Sequence, residues 1–327
     1  MATQEQAVPD TAEPIITVPA APAEKRPDIN VTLDRGGASG PAQGPPQGAP
    51  QVGPQALLRT EPVPPELPGI AERAPVATAG ALVILTVAIA LAGWYLPAGT
   101  NWLVVLALIA IFFLITGKVI TGRVLGIFIN ERKLMSLSRF QLVVWTGLIV
   151  SGFFVIALER IHSAAAAQPL AIGIDWQIWA LLGISTASFV GTPLLNSNKK
   201  GKEPDRKDEL VTKAATRFQE HPDDVERNRQ GILYGNSSVA FARFTDMFQG
   251  DELANAQLVD VAKLQLFFFT IVVAIAYGTQ LFQLIAYGDL DLPGIRLPVL
   301  QDGLLALMGV SHAGYLGAKG VDQTPTA

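Results

Sequence analysis

The sequence predicts an all-α integral membrane protein: six transmembrane helices, the last four forming a parallel two-hairpin repeat, preceded by a disordered Pro/Ala/Gly-rich tail. Three observations carry this. Half of the 327 residues are apolar and only 16% are charged, against about 25% charged in an ordinary soluble domain. Apolar stretches of membrane-spanning length recur along the chain. The segment "LLGISTASFVG" (Leu181–Gly191) returns almost unchanged as "LMGVSHAGYLG" (Leu307–Gly317).

Residues 1–75 hold 15 of the 23 prolines and are otherwise dominated by Ala, Gly and Gln. Such a segment buries too little apolar surface to offset its ordering entropy, so it is expected to be disordered. Its "PAQGPPQGAP" and "EPVPPELP" favour polyproline II. The opening "MATQEQAVPDTAEP" lacks the basic and apolar regions of a signal peptide.

A helix needs about 20 apolar residues to cross a hydrocarbon core of about 30 Å. The expected spans are Val76–Leu96, Trp102–Ile120, Phe140–Leu158, Trp176–Leu195, Leu264–Ala286 and Leu300–Ala318. The first two form a hairpin over 76–120. Asp302 at the edge of the short last span makes it the weakest crossing. With both termini cytoplasmic, 22 of the 24 Lys and Arg fall inside, and only Arg160 and Arg296 fall outside. The positive-inside rule selects that orientation in a bacterial plasma membrane. Trp94, Tyr95, Trp102, Trp176 and Trp179 then gather at the outer boundary as an aromatic belt.

The repeat extends upstream of the eleven-residue echo. "RFQLVVWT" (Arg139–Thr146) matches "KLQLFFFT" (Lys263–Thr270) at an offset of 124 residues, and the later motifs match at 126. The units are 121–195 and 263–318, each holding two spans. Two spans per unit return the chain to the same side, so the repeat is parallel. Gly183, Ala187 and Gly191 recur every four residues, as do Gly309, Ala313 and Gly317. Each set marks one helix face, where small residues let backbones approach. The expected arrangement sets these two helices against each other; the competing reading is a pore lined by small residues.

Polar residues inside the spans are Gln141, Gln265, Thr146, Thr270, Ser185, Ser311 and His312. Interhelical hydrogen bonding is the plain reading and a solute path the sharper one. His312 is the one ionisable group well inside a span, which makes it a proton-handling candidate. No nucleophile elbow, P-loop or metal-ligand spacing appears, so neither an enzyme, a cofactor nor a metal site is expected. The chain has no cysteine. A net charge of −4 gives no reason to expect nucleic acid.

The segment 196–262 is the longest between spans. It opens with the charged "NKKGKEPDRKDE", continues through helix-prone Asp208–Gln230, and carries Phe241, Phe244 and Phe248 at the spacing of an amphipathic helix. Gly250 is expected to end that helix, with Asp251 and Glu252 opening the next. Ser136 or Ser138 is the expected N-cap of the third span. Residues 319–327 read as a short C-terminal tail.

The stretches "SLSRFQLVVWTGLIVSGFF", "WALLGISTASFVG" and "FTDMFQGDELANAQLVDVAKLQLFFFT" resemble a family of uncharacterised bacterial multi-pass membrane proteins, over residues from about 125 to 318. Some members of that family accompany phage-tail-like contractile injection systems. The resemblance therefore implies a membrane anchor on which a cytoplasmic particle docks; it brings no site residues. The expected function is a non-catalytic docking platform. Its partners are the lipid bilayer, a cytoplasmic protein bound through 1–75 and 196–262, and further copies of the chain. The alternative is an uncoupled ion or small-solute channel.

Overall fold

The structure is a computed structural model that describes residues 74–326; the expected disordered tail, apart from its last two residues, lies outside them. Eight α-helices follow in order: α1 (Ala74–Tyr95), α2 (Thr100–Thr121), α3 (Leu137–Ser163), α4 (Trp176–Lys200), α5 (Lys207–Phe218), α6 (Pro222–Asn228), α7 (Val261–Tyr287) and α8 (Asp302–Gly320). Among the described residues there is no strand, only isolated β-bridges.

Helices α1 to α4 and α7 are long and apolar enough to cross a membrane. The chain therefore has the helices of a multi-pass membrane protein. Helix α8, expected as the sixth span, is not among the five. Its 19 residues include Asp302, His312 and Lys319, and these dilute the apolar run.

Helix α3 lies at the centre and packs on α1, α2, α4 and α7, while α8 packs on α4 and α7. The core is apolar and aromatic. Trp145 and Tyr277 are fully buried with ring centroids 6.5 Å apart, an edge-on pairing favoured by the ring quadrupoles. Helices α1 and α2 instead expose Val83, Ile84, Val87, Leu91, Leu103 and Ile111. A helix apolar on all sides suits lipid rather than water. The α1–α2 hairpin turns at Gly99, whose φ is +82°. An added Cβ there would lie 2.8 Å from Ala286 Cβ, so glycine serves both the turn and the close approach of α7.

One end of the bundle is closed by short crossings over 164–175 and 288–301. Gly173 N–H donates to Ile295 O (2.8 Å) and Leu297 N–H to Gly173 O (2.9 Å). This end holds the two cations expected outside. Arg160 donates to the carbonyls of Pro169, Gln168, Leu290 and Leu292, and Arg296 pairs with Asp175.

The other end carries a folded cap. The expected 196–262 segment is not a loop with one amphipathic helix. Helices α5 and α6, the 129–135 turn and residues 230–256 enclose their own core of Leu134, Val211, Ala214, Ala215, Val225, Tyr234, Leu253 and Ala256. Phe218 stacks on Tyr234 at 4.5 Å. A second apolar cluster, including Ile129, Met135, Met247, Leu266 and Tyr315, joins the cap to α3, α7 and α8.

Two local expectations are corrected. The phenylalanine stripe lies on two short 3-10 turns, Val239–Phe241 and Phe244–Phe248, because Ala242 and Arg243 between them are not helical. Asp251 and Glu252 do not open a helix; both turn inward. The segment expected as a C-terminal tail also has its own place. Lys319 belongs to α8, and Asp205 N–H donates to Pro325 O (2.8 Å), so the described end of the chain lies along the cap.

Gly231 fixes the seating of the cap. Its φ is +62°, and an added Cβ would lie 2.1 Å from Lys199 O at the end of α4. Gly231→Ala is therefore expected to cost about 1–3 kcal/mol and to speed proteolysis within 201–230. Thermal unfolding in detergent and a timed protease digest check this; unchanged stability and digestion would remove the constraint.

Candidate functional site

Two polar layers meet where the cap joins the bundle. The outer layer is a knot of buried charges around Asp251 and Glu252. The Asp251 carboxylate pairs with Arg132, with Lys263 Nζ at 3.0 Å and with Lys319 Nζ at 2.6 Å. Arg132 comes from the α2–α3 connection, Lys263 from the first turn of α7 and Lys319 from the last turn of α8. Arg132 also donates to Tyr234 O (3.0 Å) and Asp251 O (2.9 Å). Glu252 pairs with Lys199 from the end of α4, and it accepts from the backbone N–H groups of Gln323 (2.8 Å) and Thr324 (2.6 Å). Arg132, Lys199, Glu252, Lys263 and Lys319 are all buried.

Burial alone would raise the Asp251 carboxyl, but Lys263, Lys319 and Arg132 outweigh it and hold the group well below the usual carboxylate range. Nearby Asp246 goes the other way. It accepts from Arg243 N–H (2.8 Å) and Met135 N–H (3.3 Å), yet burial dominates and pushes its carboxyl up to about 6.

The inner layer is a polar seam between the helices of the bundle. Gln141 Nε2 donates to Thr270 Oγ1 (2.6 Å), which donates on to Leu266 O (2.8 Å). Gln141 Nε2 also lies 3.4 Å from His312 Nε2, while His312 Nδ1 shares a 2.6 Å hydrogen bond with Ser188 Oγ. Toward the cap, Thr192 Oγ1 and Tyr315 Oη are 3.2 Å apart. Four helices therefore meet through side-chain hydrogen bonds. Gln141 Oε1, Ser185 Oγ and both polar atoms of the Asn196 amide are buried beside the seam without a partner.

The structure thus brings Gln141, Thr270 and His312 together and buries Ser185 and Ser311 nearby. Gln265 is exposed and Thr146 half-buried, so the sequence-equivalent pairs Gln141/Gln265 and Thr146/Thr270 stand in different surroundings. The small-residue stripes are placed differently from expectation. Helices α4 and α8 do pack together, with Gly191 and Gly309 near Leu316 and Ile184 of the opposite helix. Gly183, Ala187, Ala313 and Gly317 are exposed. The buried face of α4 is instead Leu181, Ser185, Ser188 and Thr192, because the hydroxyls of Ser188 and Thr192 turn inward to His312 and Tyr315 on α8. Phe241 and Phe244 are exposed on the cap. Phe248 packs on Phe244 and Phe267 with centroids 5.4 and 5.0 Å apart.

Sequence reasoning missed Asp251, Glu252, Arg132, Lys199 and Lys319 as a set. The usable signal was Lys263 and Lys319 at the ends of apolar helices, where a buried cation demands an anion. Among the described residues no group of three or more metal-ligating side chains forms. No protein-family model, curated protein or solved structure matches the chain.

Asp251→Asn leaves three buried cations short of their anion and is expected to cost about 3–5 kcal/mol, read as a loss of thermal stability in detergent. The two aspartates also predict a pH profile. Asp246 is raised, so the native state holds its proton where the unfolded chain, titrating near about 3.9, has released it. Its contribution therefore grows as pH falls from 7 through about 6. Asp251 is lowered, so its contribution is complete above about 3.9 and is lost as pH falls through the folded value. Asp246→Asn should abolish the gain between pH 7 and 5; an unchanged profile would contradict the assignment.

Proposed function

We propose that the protein is a non-catalytic membrane docking platform. The cap faces the cytoplasm and, with residues 1–75, recruits a cytoplasmic protein assembly, of which a contractile injection particle is one instance by the sequence resemblance. The observation that carries this reading is the anchoring of the cap. Arg132, Lys199, Lys263 and Lys319 bring the α2–α3 connection and the ends of three helices onto the Asp251–Glu252 pair. A cap tied to the bundle in this way presents a fixed surface, and Phe241 and Phe244 stand exposed on it. Aromatic side chains of this kind anchor many protein interfaces.

In the same reading α8 is a sixth crossing and both termini are cytoplasmic, in a bacterial inner membrane. The described cations support the orientation. All except Arg160 and Arg296 lie at the cap end, and those two are engaged by carbonyls or by Asp175. The pairing of α3 with α4 and of α7 with α8 supports the two-hairpin repeat.

A second reading, an uncoupled channel for an ion or small solute, is favoured by the seam. Gln141, Ser185 and Asn196 carry unpartnered buried polar atoms, and such groups in membrane interiors often mark hydrated paths. Reconstituted liposomes distinguish the two. The channel requires flux that Gln141→Leu or His312→Phe reduces.

For the docking reading, the test is co-purification from crosslinked cells followed by mass spectrometry. The wild-type chain is expected to recover a defined soluble assembly. Deleting residues 1–70, or changing Phe241 and Phe244 to Ser, is expected to lower recovery at least about tenfold, in keeping with aromatic hot spots. Equal recovery by both variants would overturn the proposal.

A further inference from the structure

A groove of about 750 Å³ opens between α2, α3 and α7. Helices α2 and α7 meet at one end, where Trp102 and Phe282 lie with ring centroids 6.4 Å apart. The groove continues along α2 past Leu106 and Ala110 to Leu114, with Phe128 at its cap end. Gly147 and Gly278 also line it. A Cβ added to Gly147 would find only Leu106 Cδ1, at 3.8 Å. Small residues thus leave room between the helices.

The lining is hydrocarbon almost throughout. Thr279, the one hydroxyl in it, donates back to Ile275 O (2.8 Å) and is satisfied within its own helix. The three walls are helices long enough to cross a membrane, so the medium at the groove's mouth is lipid. From Leu114 to Trp102 the groove runs about 18 Å at the rise of an α-helix. One leaflet of the hydrocarbon core is about 15 Å deep, so the length fits a single acyl chain.

A charge stands at the cap end of this groove. Lys118 follows Leu114 by one helical turn on α2 and is exposed. None of the ion pairs among the described residues includes it. The neighbouring Arg123 is already engaged by the carbonyls of Ala240 (3.0 Å) and Ala242 (3.1 Å). Lys118 therefore offers an unclaimed ammonium near the polar edge of the bilayer, where basic side chains attract anionic headgroups.

We propose that this groove is a specific site for an anionic glycerophospholipid, one acyl chain lying between α2 and α7 and the phosphate held by Lys118. The site rests on the membrane-spanning character of α2, α3 and α7, not on the docking reading. It gives the α1–α2 hairpin, which stands outside the sequence repeat, a lipid-filled seam against α7.

The test uses the full chain purified from vesicles of mixed phosphatidylglycerol and phosphatidylcholine, with retained lipid counted by native mass spectrometry. The wild type is expected to retain one phosphatidylglycerol in preference to phosphatidylcholine. Ala110→Trp, which fills the groove from its exposed side, is expected to lower retention about tenfold. Lys118→Gln is expected to lower the preference for the anionic lipid about fivefold, the loss of one basic residue at a membrane surface. Val83→Trp on the exposed face of α1 controls for bulk alone.

A second measurement needs no variant. Phosphatidylglycerol with a photoreactive acyl chain is expected to label α2 and α7 near Ala110 and Ile275. Retention unchanged by Ala110→Trp, or labelling confined to other helices, would overturn the site. So would a dimer that Ala110→Trp dissociates with no lipid lost, since a second copy would then be the occupant.

Discussion

The carboxylate of Asp251 is the point on which the two halves of the molecule converge. Three cations reach it from the α2–α3 connection, the start of α7 and the end of α8. Each alone would be costly to bury, because desolvation of a lone charge exceeds what a low-dielectric interior returns. Together with Glu252 and Lys199 they form a set whose members cannot separate without stranding charge. The chain sections that supply them are far apart in sequence, so the knot acts as a register mark. It fixes where each helix ends relative to the cap and orders the exposed surface above it.

The seam and the knot divide the labour of holding the bundle together. In lipid there is little hydrophobic drive between helices, so packing and interhelical hydrogen bonds decide association. The apolar core around Trp145 and Tyr277 supplies the packing. The Gln141, Thr270, His312 and Ser188 cluster supplies the hydrogen bonds at one depth, and the knot supplies charge pairing nearer the cap. Helix α8 takes part in both polar layers, contributing His312, Tyr315 and Lys319 to them.

Five of the six expected spans were legible because an apolar run of membrane length is costly to leave in water and too long for most soluble cores. The five apolar helices fall within a few residues of the expected stretches, apart from longer ends on α3 and α4. Polar residues inside those runs were legible for the same reason, by contrast with their surroundings. The cap was not. Its helices give the core only Val211, Ala214, Ala215 and Val225, small side chains that leave a weak periodic pattern in a charged stretch. The three phenylalanines had helical spacing, but spacing alone does not report that Ala242 and Arg243 leave the helix. The small-residue stripes were legible as stripes, yet their facing depends on where Ser188 and Thr192 find partners on α8. That is a tertiary fact. The pairing of Asp251 with Arg132, 119 residues earlier, is equally invisible to local pattern.

The central claim is that the cap is folded onto the bundle as one body and is not a loose connection. Hydrogen exchange of the wild-type chain in lipid bilayers reads this directly. The N–H groups of Tyr234, Asn236 and Leu253 bond to Asp251 O, Arg132 O and Ile232 O inside the cap. If the knot holds, they exchange as slowly as amides in the middle of α3. Exchange within seconds at these positions, beside a protected α3, would show a cap that opens on its own and would contradict the account.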